Sequence, residues 1–122
     1  MENSQITKEK KIGIPQIFKV NGVSFHKEVV DNLRENEELK FEKEHDNKYD
    51  KNAIKILNSK GEMIGYVPKK YKIKDTEFIL NELVLKKYDK LNTKFKLLVH
   101  SIYKWDGPTG LEVRFQKINK LN

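Results

Sequence analysis

The run from Ala53 to Val67 constrains the fold most. Ala53-Ile54-Lys55-Ile56-Leu57 and Met63-Ile64-Gly65-Tyr66-Val67 flank the turn Asn58-Ser59-Lys60-Gly61, and Pro68 ends the second run. Two apolar-rich runs joined by a short Asn/Gly turn make a β-hairpin. A longer hairpin follows near the C-terminus. Phe95 to Trp105 is its first strand, Asp106-Gly107-Pro108-Thr109-Gly110 its turn, and Leu111 to Ile118 its return. In the return strand Leu111, Val113 and Phe115 alternate with Glu112, Arg114 and Gln116, the period of a half-buried strand.

Two more strands precede these hairpins. Ile17 to Phe25 turns Phe18 and Val20 to one face, and Glu38 to Glu44 turns Leu39 and Phe41 inward. Gly22 interrupts the first and marks a bulge or a close backbone approach. Glu28 to Glu35 reads as a short helix through Val29, Val30 and Leu33. Asp75 is an N-cap candidate for a second helix reaching about Lys87, but Leu85 falls off its apolar stripe, so strand is the alternative for part of this segment. The sum is about six strands and two helices. Dominated by hairpins, it predicts a mostly β, OB-like or SH3-like antiparallel β-barrel with helices packed at its side or end.

The chain has 122 residues, enough for one domain with a modest core. Residues 12–122 are expected to form it, after a polar, flexible tail over residues 1–11. Cys is absent, which excludes disulfides and thiolate metal sites. No apolar run approaches the roughly 20 residues that span a bilayer, and Met1–Gln5 lacks a signal core. A cytoplasmic protein is expected.

The net charge of +7 is unevenly spread. His26–Asp50 holds five Lys/Arg against nine Asp/Glu, whereas Tyr66–Lys104 holds ten Lys against four acids. A basic surface with a local acidic region suits a polyanionic partner met by one discriminating carboxylate. Yet only Arg34 and Arg114 are Arg among 25 basic residues. Lys enrichment of that kind also arises from solubility or base composition, so charge alone does not name a partner.

Signatures of catalysis are missing. The six glycines are scattered rather than gathered in a phosphate loop. No Ser occupies a nucleophile elbow. His26, His45 and His100 lack ligand spacing. Glu44, His45, Asp46 and Asp50 read as a solvated acidic turn in preference to a metal site. No enzyme, cofactor or metal is expected. Aromatic residues among lysines point instead to single-stranded nucleic acid, whose bases stack on rings while Lys neutralises phosphates. The candidates are Phe25, Tyr49, Tyr66, Tyr71, Tyr103 and Trp105. By pattern Phe25 and Tyr66 lean toward the core, whereas Tyr49 sits in a polar turn. Trp105 either caps the barrel end or is exposed at its edge.

Three blocks carry a resemblance. They are Phe18-Lys19-Val20-Asn21-Gly22-Val23-Ser24-Phe25, then Asp46-Asn47-Lys48-Tyr49-Asp50-Lys51-Asn52-Ala53-Ile54, then Gly61-Glu62-Met63-Ile64-Gly65-Tyr66-Val67-Pro68. In order and spacing they resemble the HIRAN domain over about residues 17–70. That resemblance implies an OB-like barrel. HIRAN domains occur in eukaryotic fork-remodelling helicase-like proteins and as bacterial or phage modules, and the best understood bind single-stranded DNA at its free 3′ end. By position, Asp50 resembles the acid that accepts from the terminal 3′-hydroxyl. Phe25 and Tyr49 resemble the pair that sandwiches the terminal base, and Tyr66 matches a polar ring beside that nucleotide.

The chain departs from the family where fork-remodelling members carry Arg before the first aromatic and Tyr after it. Here the residues are Ser24 and His26. A lost Arg removes a charge-assisted contact of about 1.5–3 kcal/mol. Lys27, Lys48, Lys51, Lys69 and Lys70 flank the site and can supply charge. The leading expectation is a non-catalytic single-stranded DNA binder that prefers a free 3′-hydroxyl. RNA is a second possible ligand, since stacking and a 3′-hydroxyl are common to both. The alternative is a protein-interaction module of a phage or mobile element on the same barrel. Sequence leaves the oligomeric state open.

Overall fold

The computed structural model describes residues 14–104 and 109–118. The N-terminal tail, Trp105, most of the expected 106–110 turn and residues 119–122 therefore lie outside the described residues. In chain order the elements are β1 (Ile17–Lys19), a 3-10 turn (Val23–His26), α1 (Lys27–Asp31), β2 (Glu38–Lys43), β3 (Ile54–Leu57) and β4 (Met63–Tyr66). Then come β5 (Lys70–Ile73), β6 (Thr76–Ile79), α2 (Leu80–Lys86), α3 (Tyr88–Lys94), β7 (Phe95–Tyr103) and β8 (Gly110–Lys117). Six strands form one antiparallel sheet in the order β1-β8-β7-β2-β3-β4, and β5 pairs with β6.

Both expected strand pairs form, β3 with β4 and β7 with β8. At the β3–β4 turn, Asn58 Oδ1 accepts from the backbone N–H of Lys60 at 3.0 Å and of Glu62 at 2.8 Å. Gly61 adopts φ 84°, the left-handed region that Gly enters at least cost. β7 and β8 pair along their length, with a register shift between Val99 and Ser101.

The alternating apolar residues converge as expected. Phe18, Leu39, Phe41, Ile54, Ile56, Leu97, Val113 and Phe115 are buried in one core. Phe115 lies 5.9 Å from Phe18 and 5.6 Å from Phe41, ring centre to ring centre, and Tyr88 meets Phe41 edge-on at 5.5 Å. Burying each such side chain contributes about 1.5–3 kcal/mol.

Four expectations are corrected. The sheet does not close into a barrel: β1 and β4 remain its outer strands, joined by a single bridge at Asn21 and Tyr66. The first strand ends at Lys19 rather than Phe25, because Gly22 at φ 79° turns the chain into the 3-10 turn that carries Phe25. Asp75 caps no helix. It lies in the turn between β5 and β6, with Lys74 at φ 55°, and Thr76–Ile79 is strand until the helix starts at Leu80. There are three α-helices and eight strands among the described residues rather than two and six. The extra helix α3 buries only Leu91, too little apolar periodicity to show in the sequence.

The Asn21–Tyr66 bridge consists of two backbone hydrogen bonds, each 2.9 Å. It requires Gly65. A Cβ there would lie 2.4 Å from the Asn21 carbonyl oxygen and 2.7 Å from Val20 Cγ1. Gly65→Ala is therefore expected to lower stability by about 1–3 kcal/mol, as overpacking does. The urea midpoint measures it, and the Asn21 and Tyr66 amides should lose hydrogen-exchange protection more than β7 and β8 do.

Candidate nucleic-acid interface

The bridge brings the 3-10 turn beside the loop that joins β2 to β3. Between them opens a cleft of about 460 Å³. Phe25, His26, Tyr49, Asp50, Tyr66 and Lys69 all line it, together with Asn21, Gly22, Asn47, Ala53 and Val67. Of the residues singled out from sequence, Ser24 and Lys51 are exposed but do not line this cleft, and Lys70 lines its neighbour. Two further lysines are otherwise placed: Lys27 pairs with Asp31 at 2.8 Å, and Lys48 lines a different cleft.

Phe25 is 84% exposed and Tyr49 96%. The leaning of Phe25 toward the core is thus wrong, and the 3-10 turn is why. Val23 points into the core and Phe25 out of it. Large rings left this bare lose stabilisation unless something covers them. Tyr71 is differently occupied: it is half-buried and its hydroxyl donates to the Ile17 carbonyl at 3.2 Å.

The loop is held by its own side chains. Glu44 N–H donates to the Ala53 carbonyl at 2.9 Å, which closes its base. Asn47 Oδ1 accepts from the N–H groups of Tyr49 at 2.8 Å and Asp50 at 2.9 Å, an Asx turn. The Lys43 ammonium caps the Lys51 carbonyl. The sequence cluster of Asp and Asn therefore builds a structured loop.

Asp50 is fixed on both carboxylate oxygens. Oδ1 accepts from Asn52 N–H at 2.9 Å, and Oδ2 accepts from Asn81 Nδ2 at 2.8 Å. Each oxygen has two acceptor sites, so both can still accept from a ligand. Asn81 was missed in the sequence. It is 1% exposed on α2 beside Leu80 and Val84, and a lone Asn on an apolar stripe was the available signal. Its Oδ1 is buried with no hydrogen-bond partner among the described residues. A flipped amide would set that oxygen against the carboxylate, so contact with Asp50 fixes the orientation.

Tyr66 is engaged in a similar way. Its hydroxyl donates to Glu44 Oε1 at 2.8 Å, and Asn47 Nδ2 donates to the same oxygen at 2.9 Å. The Asn47 and Tyr66 hydrogen bonds hold the Glu44 carboxyl below its ordinary value of 4.5. The same contact with Glu44 raises the Tyr66 phenol above its ordinary 10.0. Glu44 was read as part of a solvated acidic turn, but its role here is to orient the Tyr66 ring at the cleft. Among the described residues, no group of His, Asp and Glu is arranged to hold a metal.

Known proteins resemble the chain in one respect. A family model described as HIRAN domain matches residues 16–91. The solved HIRAN domain of human HLTF superposes with a TM-score of 0.55 at 21% identity, covering 83% of this chain and 74% of that one. No curated protein matches.

Two expected outcomes follow from this geometry. The Glu44 contribution to stability is complete above its unfolded value near 4.5 and is lost as pH falls through the lowered folded value. Tyr66→Phe removes one of the two donors, so the Glu44 carboxyl should titrate at higher pH than in wild type in a carbon-detected NMR titration. Asn81→Ala should cost about 1.5–3 kcal/mol, the range for a hydrogen bond to a charged group, as read by urea denaturation.

Proposed function

Because the chain belongs to the HIRAN domain family, whose members are DNA-binding modules, we propose that it binds single-stranded DNA and prefers a free 3′-hydroxyl end. One observation carries this reading: two almost fully exposed rings, Phe25 and Tyr49, line the same cleft as the fixed carboxylate of Asp50. The rings offer π-faces to a terminal base, each base stacked being worth about 1–3 kcal/mol. The carboxylate accepts from the terminal hydroxyl. A 3′-phosphate has no such donor to offer and brings negative charge against Asp50. Lys69 stands at the cleft for a backbone phosphate, and His26 adds a polar ring edge.

In this reading the cleft acts without catalysis. Asn81 and Asn52 set the direction of the Asp50 lone pairs, and Asn47 sets the backbone that carries Tyr49 and Asp50. Rigid placement lowers the ordering cost of binding.

Fluorescence polarisation with short oligonucleotides ending in 3′-hydroxyl or 3′-phosphate tests the proposal. The hydroxyl end should bind more tightly. Asp50→Ala should erase that difference while leaving salt-dependent binding. Tyr49→Ala and Phe25→Ala should each weaken both ends, by about five- to 150-fold for a stacking loss of 1–3 kcal/mol. Equal affinity of wild type for the two ends would defeat the reading. Ribonucleotide versions of the same oligonucleotides distinguish DNA from RNA.

A further inference from the structure

Resting on the end-binding reading, a second question is where the rest of a bound strand runs. Two clefts adjoin the first. One shares Asn47, Tyr49 and Tyr66 with it and holds Lys43, Lys48 and Lys55 against Glu42, Glu44 and Asp46. Three positive charges face three negative ones there, and two of the lysines are occupied. Lys43 caps the Lys51 carbonyl, and Lys55 lies 3.5 Å from Glu42. This side offers a polyanion little attraction.

The other cleft, of about 490 Å³, shares Asn21 and continues past Pro68. Lys19, Lys70 and Lys72 line it against a single carboxylate, Glu112. All three lysines are exposed. Unlike those of Lys43 and Lys55, their ammonium groups make no hydrogen bond or ion pair with the described residues. Glu112 already accepts from the Tyr103 hydroxyl at 2.7 Å. Glu77 stands opposite Lys72 across the β5–β6 pair but lies outside the cleft lining.

We propose that this second cleft is a phosphodiester subsite: the strand leaves the terminal pocket past Asn21 and Lys69 and lays its backbone phosphates along Lys19, Lys70 and Lys72. The groove has a charge excess and free ammonium groups and is continuous with the terminal cleft. These suit a flexible polyanion, whereas the cleft on the other side has no charge excess and leaves one of its three lysines, Lys48, unengaged. Subsite and pocket together give the strand one direction across the protein, its 3′ end at Asp50 and its 5′ side over the β5–β6 hairpin.

The test compares a dinucleotide with a decanucleotide, both ending in 3′-hydroxyl, over a range of salt. For single strands log K falls with log salt at about −0.7 per phosphate contact. The Lys19→Gln/Lys72→Gln double variant should flatten the decanucleotide slope by about 1.4. Wild type then loses about sevenfold more affinity than the variant between roughly 50 and 200 mM salt. Dinucleotide affinity and preference for the 3′-hydroxyl should not change. Lys48→Gln/Lys55→Gln should leave the decanucleotide slope intact. An unchanged slope in the first variant, or a flattened one in the second, overturns the proposed path even where end preference persists. A flattened slope in the first variant with no end preference in wild type would remove the end-capture reading and leave the phosphodiester groove standing.

Discussion

Two backbone hydrogen bonds between Asn21 and Tyr66 position everything that could act on a ligand. The six-stranded sheet is open, and these bonds draw its outer strands together where no ladder joins them. The contact is possible because residue 65 has no Cβ to collide with Asn21 and Val20. Immediately after Asn21, Gly22 turns the chain into the 3-10 turn that presents Phe25 and His26. Just before Tyr66, the β3–β4 hairpin leads back to the 44–53 loop. A sheet edge with unpaired backbone groups is a liability. In this fold part of that edge is spent on bringing an aromatic from one end of the sheet beside an acid from the other.

Around that contact, short polar side chains do work that a larger protein would assign to packing. The side chains of Asn47, Asn58 and Asn81 each hold a turn or a carboxylate by direct hydrogen bonds, and the Asp50 carboxylate accepts from the Asn52 backbone N–H. Such bonds are individually modest, about 0.5–1.5 kcal/mol net, but costly to break where the groups are buried. Asn81 is the extreme case, because it sits in the core with one atom satisfied only by an acid at the rim of the cleft. The consequence is coupling: α2 and the loop carrying Tyr49 cannot move independently without stranding a buried amide.

Much of this was legible in the sequence where one residue dictates its own backbone. Asn58 and Gly61 announce the β3–β4 turn, and the alternation in Leu111–Phe115 announces β8. The Asp/Asn cluster announces a turn, and its resemblance to the HIRAN domain singled out Tyr49 and Asp50. What stayed hidden depends on distant partners. Thr76–Ile79 carries both strand and helix signals, and becomes strand because Lys70–Ile73 lies alongside it. Phe25 looks like the next inward residue of a strand until Gly22 rotates it outward. Asn81 looks like a blemish on an apolar stripe until Asp50 arrives from 31 positions away. Glu44 looks solvated until Tyr66 closes over it.

If the cleft holds a strand end as proposed, its energetics bear on how much of that strand the protein must touch. One base between two rings gives about 1–3 kcal/mol, and a hydroxyl on a carboxylate about 1.5–3 kcal/mol. Together they come to about 2.5–6 kcal/mol before the cost of association, which brackets the −4.1 kcal/mol of a millimolar complex and stays short of the −8.2 kcal/mol of a micromolar one. The family Arg that could narrow the gap is here Ser24, exposed and outside the cleft. On the proposed reading, useful affinity would therefore have to come from phosphates beyond the terminal nucleotide, and so from lysines spread over the surface. In such a division of labour the cleft would decide which end is held, and the lysines how tightly. Salt would then weaken the grip on the strand far more than the choice of end.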